Sequence, residues 1–514
     1  LRVFENCYCL FYRVHFNICS GEIMKTPILA WFFEQKFADE GHYNQSILLE
    51  LNQSVSKKII EKAFLELISH HDVLRLNYDR ESDRLFYNNE HLNNKPLINT
   101  INLRDFKWED SLEIVKDLVN KSFDLKNDLL IKVYLIYTID KNYLYLSAHH
   151  LVVDGVSWRI IVNDLAALLS QISEEKTINL PDKSSSYQNY AKEYSMLADK
   201  YQIVGKQQIV DKNQFADKQQ IAHKHQIDEK YSCQICEISK DNKSVFQIKS
   251  DNALYRQAKT LLFELNEEIT ENLLGKANDP YGTKPNELIL IALTYTINDI
   301  YKLNKIAFEI ESHGRDILEE VDINRTVGWF TSIYPIKIEI PPDEDEIDEI
   351  KEQIKSIKEQ IRKGSKRGYE YGILRHFNRH ANEHINKNID KHINEQTNQD
   401  NKYIRFNYLG EYIEQKNDYF TLKKLLFDDD ISPNNAITFL IDINAVVMNK
   451  KLSIYITYGA NVFDENNINK LIIYFQKHIK NIVNHCINIK ERIYTPSDFD
   501  MVSLTQEELD SLLE

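Results

Sequence analysis

Cysteine, long apolar runs and excess positive charge are all scarce in this sequence, and each shortage excludes a class of protein. The 514 residues include only 6 cysteines, too few for a disulfide scaffold, so a reducing, cytoplasmic location is the simplest expectation. No stretch approaches the roughly 18 uninterrupted apolar residues of a transmembrane helix, and we expect no membrane partner. The net charge of −15 argues against a nucleic-acid partner, which clustered cations would bind.

The sequence contains two comparable units in which strands and helices alternate, as expected for α/β domains. The first unit, residues 23–183, combines amphipathic helices with strand-like runs such as LLIKVYLIYTI and NYLYLSA. The second unit, residues 255–497, has a long apolar helix, a hairpin near 436–460 and a closing amphipathic helix. Residues 1–22 have no assigned role, and residues 498–514 form a C-terminal tail. The missing initiator Met suggests a fragment of a longer chain.

Two polar insertions interrupt this pattern. The linker 184–254 contains a low-complexity repeat at about 200–232, in which Lys recurs at every sixth residue. Six residues turn an α-helix by about 600°, so the repeat forms no apolar stripe, and we expect a mostly disordered segment. A second insertion, at about 378–402, is rich in Asn and His and is also expected to be poorly ordered.

Two spacings near these insertions permit a metal ion. Cys233 and Cys236 form a lone CxxC pair, and His376, His380 and His384 would share one face of a helix. A lone CxxC has no second pair at a fixed spacing, and three histidines are ordinary in a His-rich repeat. We therefore predict no metal site.

The first segment with clear chemistry is His149-His150-Leu-Val-Val-Asp154-Gly155, between a predicted strand and a predicted helix. An imidazole titrates near pH 6.5, which suits a general base, and an Asp four residues on could orient it or fix the loop by an ion pair. Alone, this pattern fits a structural pair or a metal site equally well.

Further motifs follow in a definite order. They are TPILAWFF (26–33), NQS (44–46), HHDVLR (70–75), ESHGRD (311–316), NRTVGWFTS (324–332), YGILR (371–375), FNYLG (406–410) and TPSDF (495–499). Together with the HHxxxDG segment, this set resembles the epimerization domains of non-ribosomal peptide synthetases, a branch of the condensation-domain superfamily, over residues 24–500. Three positions depart from the family pattern: Leu29 replaces a Gln, Ser312 a Gly and Asp316 a Glu.

The resemblance implies an α/β fold and a site. The fold would be two chloramphenicol-acetyltransferase-like lobes in a V-shaped pseudo-dimer with a central tunnel. Inverting a stereocentre requires acid/base groups on opposite faces of the α-carbon, and the family assigns these roles to the equivalents of His150 and Glu311.

The same resemblance suggests roles for the neighbouring residues. His149, Asp154 and Gly155 would shape the loop, while Asn407 and Tyr408 would stabilise an enolate oxygen or position the substrate. HHDVLR, which a search for metal ligands would select, is assigned to the fold. Trp158 and Trp329 are expected to be core residues.

The implied reaction is conversion of an L to a D aminoacyl or peptidyl thioester on the phosphopantetheine arm of a peptidyl carrier protein. The chain itself is expected to bind no cofactor, and adenylation and condensation domains would be neighbours. Three alternatives stay open: an amide-forming condensation domain, an enzyme that uses free acyl-CoA, and a non-catalytic docking module.

Overall fold

The fold is known from a computed structural model that describes most of the chain. The described residues are 18–93, 98–119, 121–207, 246, 253–318, 320–341, 349–366, 368–376, 402–412, 417–425, 429–499 and 505–513. None of the described helices is long and apolar enough to cross a membrane.

The first unit alternates short sheets and helices, as the sequence predicted. Its elements in chain order are β1 (Gly21–Ile23), α1 (Pro27–Glu34), β2 (Asn44–Leu51), α2 (Lys57–His70), β3 (Leu76–Asp79), β4 (Arg84–Tyr87), β5 (Ile98–Leu103), α3 (Trp108–Leu118), β6 (Ile131–Thr138), β7 (Asn142–His149), α4 (Gly155–Ser173) and α5 (Tyr187–Gln207).

The second unit has the same mixed character. Its elements are β8 (Ala258–Glu264), α6 (Glu267–Leu274), α7 (Pro285–Tyr301), β9 (Lys305–Ser312), β10 (Ser332–Glu339), α8 (Glu349–Ser365), α9 (Gly368–His376), β11 (Ile404–Tyr412), β12 (Phe420–Leu425), β13 (Ile441–Met448), β14 (Lys451–Gly459), α10 (Glu465–Asn488) and α11 (Gln506–Leu513). The predicted long apolar helix, hairpin and closing helix are confirmed as α7, β13–β14 and α10.

The described strands form three sheets, and one strand crosses between the units. A small sheet has the order β1-β4-β3, a five-stranded sheet β12-β2-β7-β6-β5, and a six-stranded sheet β10-β9-β11-β13-β14-β8. Strand β12 lies in the second half of the sequence, yet it pairs antiparallel with β2 of the first. A sheet therefore joins the two units in addition to the linker.

Each unit has its own hydrophobic core. In the first, apolar side chains of α2 and α4 pack on one face of the five-stranded sheet, where Phe64, Leu144 and Leu165 are almost fully buried. In the second, α7 and α10 cover one face of the six-stranded sheet, with Ile291 and Phe475 at its centre. The opposite face of the six-stranded sheet is not covered by these two helices.

One predicted strand begins as a tight turn. The run VLRLNY was expected to be extended, but Asp72–Arg75 form a 3₁₀ turn and the strand begins at Leu76. The fully buried Arg75 explains the difference, because its guanidinium donates to the Ser69 carbonyl at 3.3 Å and to Asp72 at 2.6 Å. These hydrogen bonds fix the turn in a way that strand periodicity cannot reveal.

The start of the first insertion is helical, which corrects the expectation of disorder from residue 200. Helix α5 continues to Gln207. Its first turns are anchored by buried Tyr187, Tyr190 and Tyr194, and the Lys, Gln and Ala residues that follow favour helix extension without a stripe of their own. Residues 208–245 and 377–401, the CxxC pair and the side chains of the three spaced histidines lie outside the described part.

Candidate functional site

The HHxxxDG segment forms the turn between β7 and α4. Asp154 is extended and caps α4, since its Oδ1 accepts the Ser157 N–H at 2.6 Å. Asp is among the preferred residues at this position because its short side chain reaches an otherwise unpaired helical N–H. The cap fixes where the turn ends and therefore where the preceding histidines point.

The two histidines point in different directions because successive strand residues alternate between faces. His149 is fully buried, with Nε2 bonded to the Glu40 carbonyl at 2.8 Å. Burial lowers the pKa of His149 to about 3, so the ring is neutral at ordinary pH. The structure thus places His149 in the core beneath the loop.

His150 is the histidine at the interface of the two units. Its Nδ1 lies 2.8 Å from the Val153 carbonyl, its Nε2 lies 2.9 Å from Gln45 Nε2, and its ring stacks on Trp329 at 4.0 Å between centroids. Burial lowers the pKa of His150 to about 4. His150 is therefore a neutral imidazole near pH 7, as a general base must be before it accepts a proton.

Asp154 also ties the loop to the second unit. Arg315 of the ESHGRD motif donates to both oxygens of Asp154, at 3.1 and 3.2 Å, and the Phe330 N–H donates at 3.2 Å. Gly314 precedes Arg315 with φ of 62°, and a Cβ there would lie 1.9 Å from the Phe330 carbonyl oxygen. Only glycine therefore allows the ESHGRD motif to come this close to the backbone of Phe330.

Ser312 does not disturb this turn. The substitution of a Gly raised the question of an unusual backbone angle, but Ser312 is absent from the described residues with positive φ. It ends β9 in regular antiparallel pairing with Ser332. A serine is accommodated there without strain.

The six-stranded sheet carries a band of charged side chains on the face away from α7 and α10. The register places Glu309 beside Arg405 and Arg405 beside Asp442, and it places Glu311 beside Asn407. Arg405 contacts Glu309 at 2.7 Å and Glu311 at 3.5 Å. Two carboxyl groups thus contact one guanidinium, and the charge of Asp442 acts on the same guanidinium, an arrangement that favours a proton on one of the three carboxyl groups.

Glu311 is the carboxyl group in this band with the most unusual proton affinity. Its side chain is only 19% exposed, and Asn407 Nδ2 donates to its Oε2 at 2.9 Å. Burial, together with the charges of Asp442 and Glu309, raises the pKa of Glu311 to about 7 despite the attraction of Arg405. A carboxyl group that is half protonated near neutral pH can donate or accept a proton.

Aromatic rings connect His150 with the charged band. Tyr43 stacks near His150 at 5.9 Å and is close enough to Glu311 and Arg405 for their charges to affect its own titration. On the other side, Trp329 meets Trp31 edge-on at 6.3 Å, and the Arg405 guanidinium lies 5.5 Å from the Trp31 ring. The structure therefore brings the two predicted acid/base residues, one from each unit, to a common region.

A cavity adjoins this region. It has a volume of about 20 Å³ and is lined by Trp31, Trp329, Tyr371 and Arg375, among others. Ile333 also lines it, and Ile333 is the direct cross-strand neighbour of Glu311. The cavity thus reaches the strands that present the charged band.

The remaining predicted residues divide between site and core. Asn407 contacts Glu311, whereas Tyr408 alternates to the opposite face, beside Ala445 of the second core. Trp158 and Trp329 are 3% and 2% exposed, as expected of core residues, although Trp329 also stacks on His150. Asn407 and Trp329 therefore contact the acid/base pair, whereas the Tyr408 side chain faces the second core and not the site.

Three site residues were missed by the sequence reading. Gln45 was noted only as part of an opening motif, and Arg405 and Asp442 were not singled out. Arg405 stands between Ile404 and Phe406, and Asp442 stands between Ile441 and Ile443. A charged residue between two apolar ones was the available signal. Gln45 had no comparable signal, since its contact depends on the pairing of β2 with β7.

The HHDVLR motif forms a second cluster, away from the loop. His70, His71 and Asp164 are the group among the described residues whose spacing could hold a metal ion. Asp164, however, accepts from His71 at 2.9 Å and from Arg325 at 2.6 Å. A guanidinium bound to the only carboxylate repels a cation, so this cluster fits the structural role that was predicted.

The sequence matches a known protein family. The profile of the Condensation domain family matches residues 20–505, and the chain belongs to that family. The predicted membership of the condensation-domain superfamily, with its mixed α/β fold, is confirmed.

Individual relatives are peptide synthetases and their domains. The chain is 30% identical over 503 residues to tyrocidine synthase 2 of Brevibacillus parabrevis, covering 97% of this chain and 13% of that protein. It is 30% identical over 515 residues to gramicidin S synthase 1 of Brevibacillus brevis, covering 97% and 43%. The chain thus spans less than half the length of these relatives.

A solved structure with a similar fold is the epimerization domain from the third module of tyrocidine synthetase B. It superposes with a TM-score of 0.73 at 28% identity, covering 92% of this chain and 99% of that one. The first condensation domain of the CDA synthetase superposes with a TM-score of 0.57 at 12% identity, covering 91% and 97%, which shows a shared fold alone.

Proposed function

We propose that this chain inverts the α-carbon of an aminoacyl or peptidyl thioester carried on the phosphopantetheine arm of a carrier protein. The observation that carries the proposal is the complementary protonation of His150 and Glu311: near pH 7 one is a neutral base and the other a carboxyl group that can hold a proton. Epimerization needs this pair, because one group removes the α-proton while the other delivers a proton to the opposite face.

The reaction balances without a further reactant. One member of the pair takes the proton from the α-carbon, and the electron pair of the broken C–H bond is delocalised onto the thioester oxygen. The other member then protonates the carbon from the opposite side, and the proton positions on the pair are exchanged. Asn407, together with N–H groups near Gly155, is the proposed donor to the enolate oxygen, whereas Tyr408 faces the second core.

The carrier protein brings the substrate, and neighbouring adenylation and condensation domains are the proposed source of the loaded carrier. The multidomain relatives support this arrangement, because the chain corresponds to only part of each. The chain needs no cofactor of its own for the reaction as written.

The experiment offers the protein a carrier loaded with an L-aminoacyl or L-peptidyl phosphopantetheine thioester in deuterated water. The expected result is deuterium at the α-position together with a mixture of L and D thioesters. Free acyl-CoA in place of the loaded carrier tests the carrier-independent alternative. If several loaded carriers give neither exchange nor inversion, the proposal fails and a docking role takes its place.

Condensation is the second candidate, because the matching family profile is that of the Condensation domain and His150 would serve either reaction. A condensing enzyme joins the thioester to an acceptor amine and leaves the α-proton in place. Adding a labelled acceptor amine to the same mixture separates the two: amide formation without exchange would favour condensation. Loss of the reaction on replacing Glu311 would support epimerization, because condensation would need only His150.

A further inference from the structure

The acid/base nitrogen of His150 is contacted by a side chain that has no role in the mechanism above. Strand β2 pairs with β7 so that Gln45 lies opposite Ala148, and its side chain therefore shares a face with His150. Gln45 Nε2 lies 2.9 Å from His150 Nε2. The amide oxygen, Gln45 Oε1, is buried and has no hydrogen-bond partner among the described residues.

The ring of His150 can be assigned one tautomer from its contacts. A carbonyl oxygen only accepts hydrogen bonds, so Nδ1, 2.8 Å from the Val153 carbonyl, carries the proton. In the neutral ring Nε2 is then an acceptor, and the amide N–H of Gln45 donates to it. Gln45 therefore fills the lone pair with which His150 would remove a proton from the substrate.

We infer that Gln45 is a positioning residue for His150: its amide N–H holds the neutral ring in the free enzyme, and its amide oxygen receives the imidazolium N–H during turnover. This inference rests on the proposed function. The substrate C–H displaces the amide from the lone pair, and Nε2 takes the α-proton while the electron pair stays on the substrate. A half rotation of the amide then turns Oε1, unpartnered in the free enzyme, towards the new N–H.

The surroundings of His150 leave Gln45 as its direct partner at Nε2. Tyr43 stacks on one side, and burial raises its pKa, so it stays protonated. His149 is neutral for the reason given above, and Asp154 is paired with Arg315. Glu311 titrates near pH 7, and its charge affects Tyr43, the ring that stacks near His150.

The test uses the full chain with ¹⁵N-labelled histidine, because ring-nitrogen shifts report the tautomer and titration of His150 without any substrate. The His150 signal is the one lost in His150→Gln. In the wild-type protein we expect Nδ1 protonated and Nε2 accepting at pH 7. Gln45→Met removes both the donor to the neutral ring and the acceptor for the imidazolium. Because a hydrogen bond to a charged group is the stronger of the two, the proton affinity of His150 should fall by about fivefold. Gln45→Glu should instead raise it, because a carboxylate stabilises the imidazolium.

Activity gives the second readout. Deuterium exchange should fall by about tenfold in Gln45→Met at pH 7. The acidic limb of the exchange rate should move to lower pH in Gln45→Met and to higher pH in Gln45→Glu. Gln171→Glu is the matched control: the Gln171 amide donates to the Asn179 carbonyl far along α4, and no change is expected. A lower melting temperature with an unchanged pH profile would reduce Gln45 to a structural residue and overturn the inference.

The two proposals fail in distinguishable ways. If the wild-type protein does not exchange, the proposed function fails, while the titration of His150 still tests the contact with Gln45. If exchange occurs and His150 titrates identically in wild type, Gln45→Met and Gln45→Glu, the inference fails and the function stands. A signal showing both ring nitrogens protonated at pH 7 would also overturn the inference, since Nε2 could then accept nothing.

Discussion

At the scale of single residues, the two acid/base groups acquire their properties from different surroundings. Burial against Trp329 favours the neutral form of His150, whose pKa is about 4. Burial among other carboxyl groups favours the protonated form of Glu311, whose pKa is about 7. Between these values the pair holds one proton. Either direction of epimerization starts from a state with one shared proton, so both directions should share one pH profile.

The alkaline limb of that profile should respond to Asp442. Activity is expected to fall as pH rises through about 7, when the pair loses its proton. Asp442 lies next to Arg405 in the charged band, and its negative charge raises the pKa of Glu311. Asp442→Asn should therefore lower the pKa of Glu311 and move the alkaline limb to lower pH, as measured by exchange rates between pH 4 and 9. If the alkaline limb stays at the same pH in Asp442→Asn, a group other than Glu311 determines it.

Removing either acid/base group should stop inversion. Positioned acids and bases typically contribute about 10²–10⁴-fold, so His150→Gln and Glu311→Gln should each reduce L-to-D conversion by 10²-fold or more. Glu339→Gln is the matched control, since Glu339 lies in the same sheet but is 41% exposed and pairs with lysines. Because each base reaches one face, one variant is expected to retain some deuterium exchange without inversion. Two fully active variants would contradict the two-base mechanism.

At the scale of elements, periodicity and motif order predicted most of the fold but only part of the site. Helix α4 was predictable because Asp154 caps it and Ile161, Leu165 and Leu168 recur on one face. The contact of Gln45 with His150 was not, because it depends on strand pairing across about a hundred residues of sequence. The crossing of β12 into the first sheet was hidden for the same reason.

The cap of α4 also carries a prediction. Asp154→Ala removes the cap and leaves Arg315, 7% exposed, without its carboxylate. Breaking a buried ion pair from one side costs about 3–5 kcal/mol, whereas loss of a cap alone costs about 1 kcal/mol. Ser56→Ala, which removes only the exposed cap of α2, is the control. Urea unfolding should separate the two variants by at least 2 kcal/mol, roughly, and equal losses would mean that the ion pair adds nothing.

At the scale of the whole molecule, the site exists only where the two units meet, and several contacts hold them together. Strand β12 completes the five-stranded sheet, and Asp430, which follows it, accepts the Ser46 N–H of β2 at 3.0 Å. Arg325 of the second unit binds Asp164 of the first at 2.6 Å. Because His150 and Glu311 belong to different units, each contact that fixes the interface also fixes their relative position.

The contacts of Asp164 should make the stability of the folded protein depend on pH. Burial alone would raise the pKa of Asp164, but hydrogen bonds from His71 and Arg325 hold it below the usual value. A carboxylate with a lowered pKa stabilises the folded state above the unfolded value near 4, and that stability is lost as pH falls through the folded value. Asp164→Asn should therefore destabilise the protein by about 3–5 kcal/mol at pH 7, and by progressively less below about pH 4.

Urea unfolding of wild type and Asp164→Asn at pH 7, 4 and 3 measures this difference. The exposed Asp105→Asn is the control, and its stability should follow that of the wild-type protein at every pH. A difference between wild type and Asp164→Asn that stays constant down to pH 3 would show that the charge of Asp164 is not what it contributes. A difference that closes with acid, together with a parallel loss of exchange activity, would locate the charge at the interface that aligns His150 with Glu311.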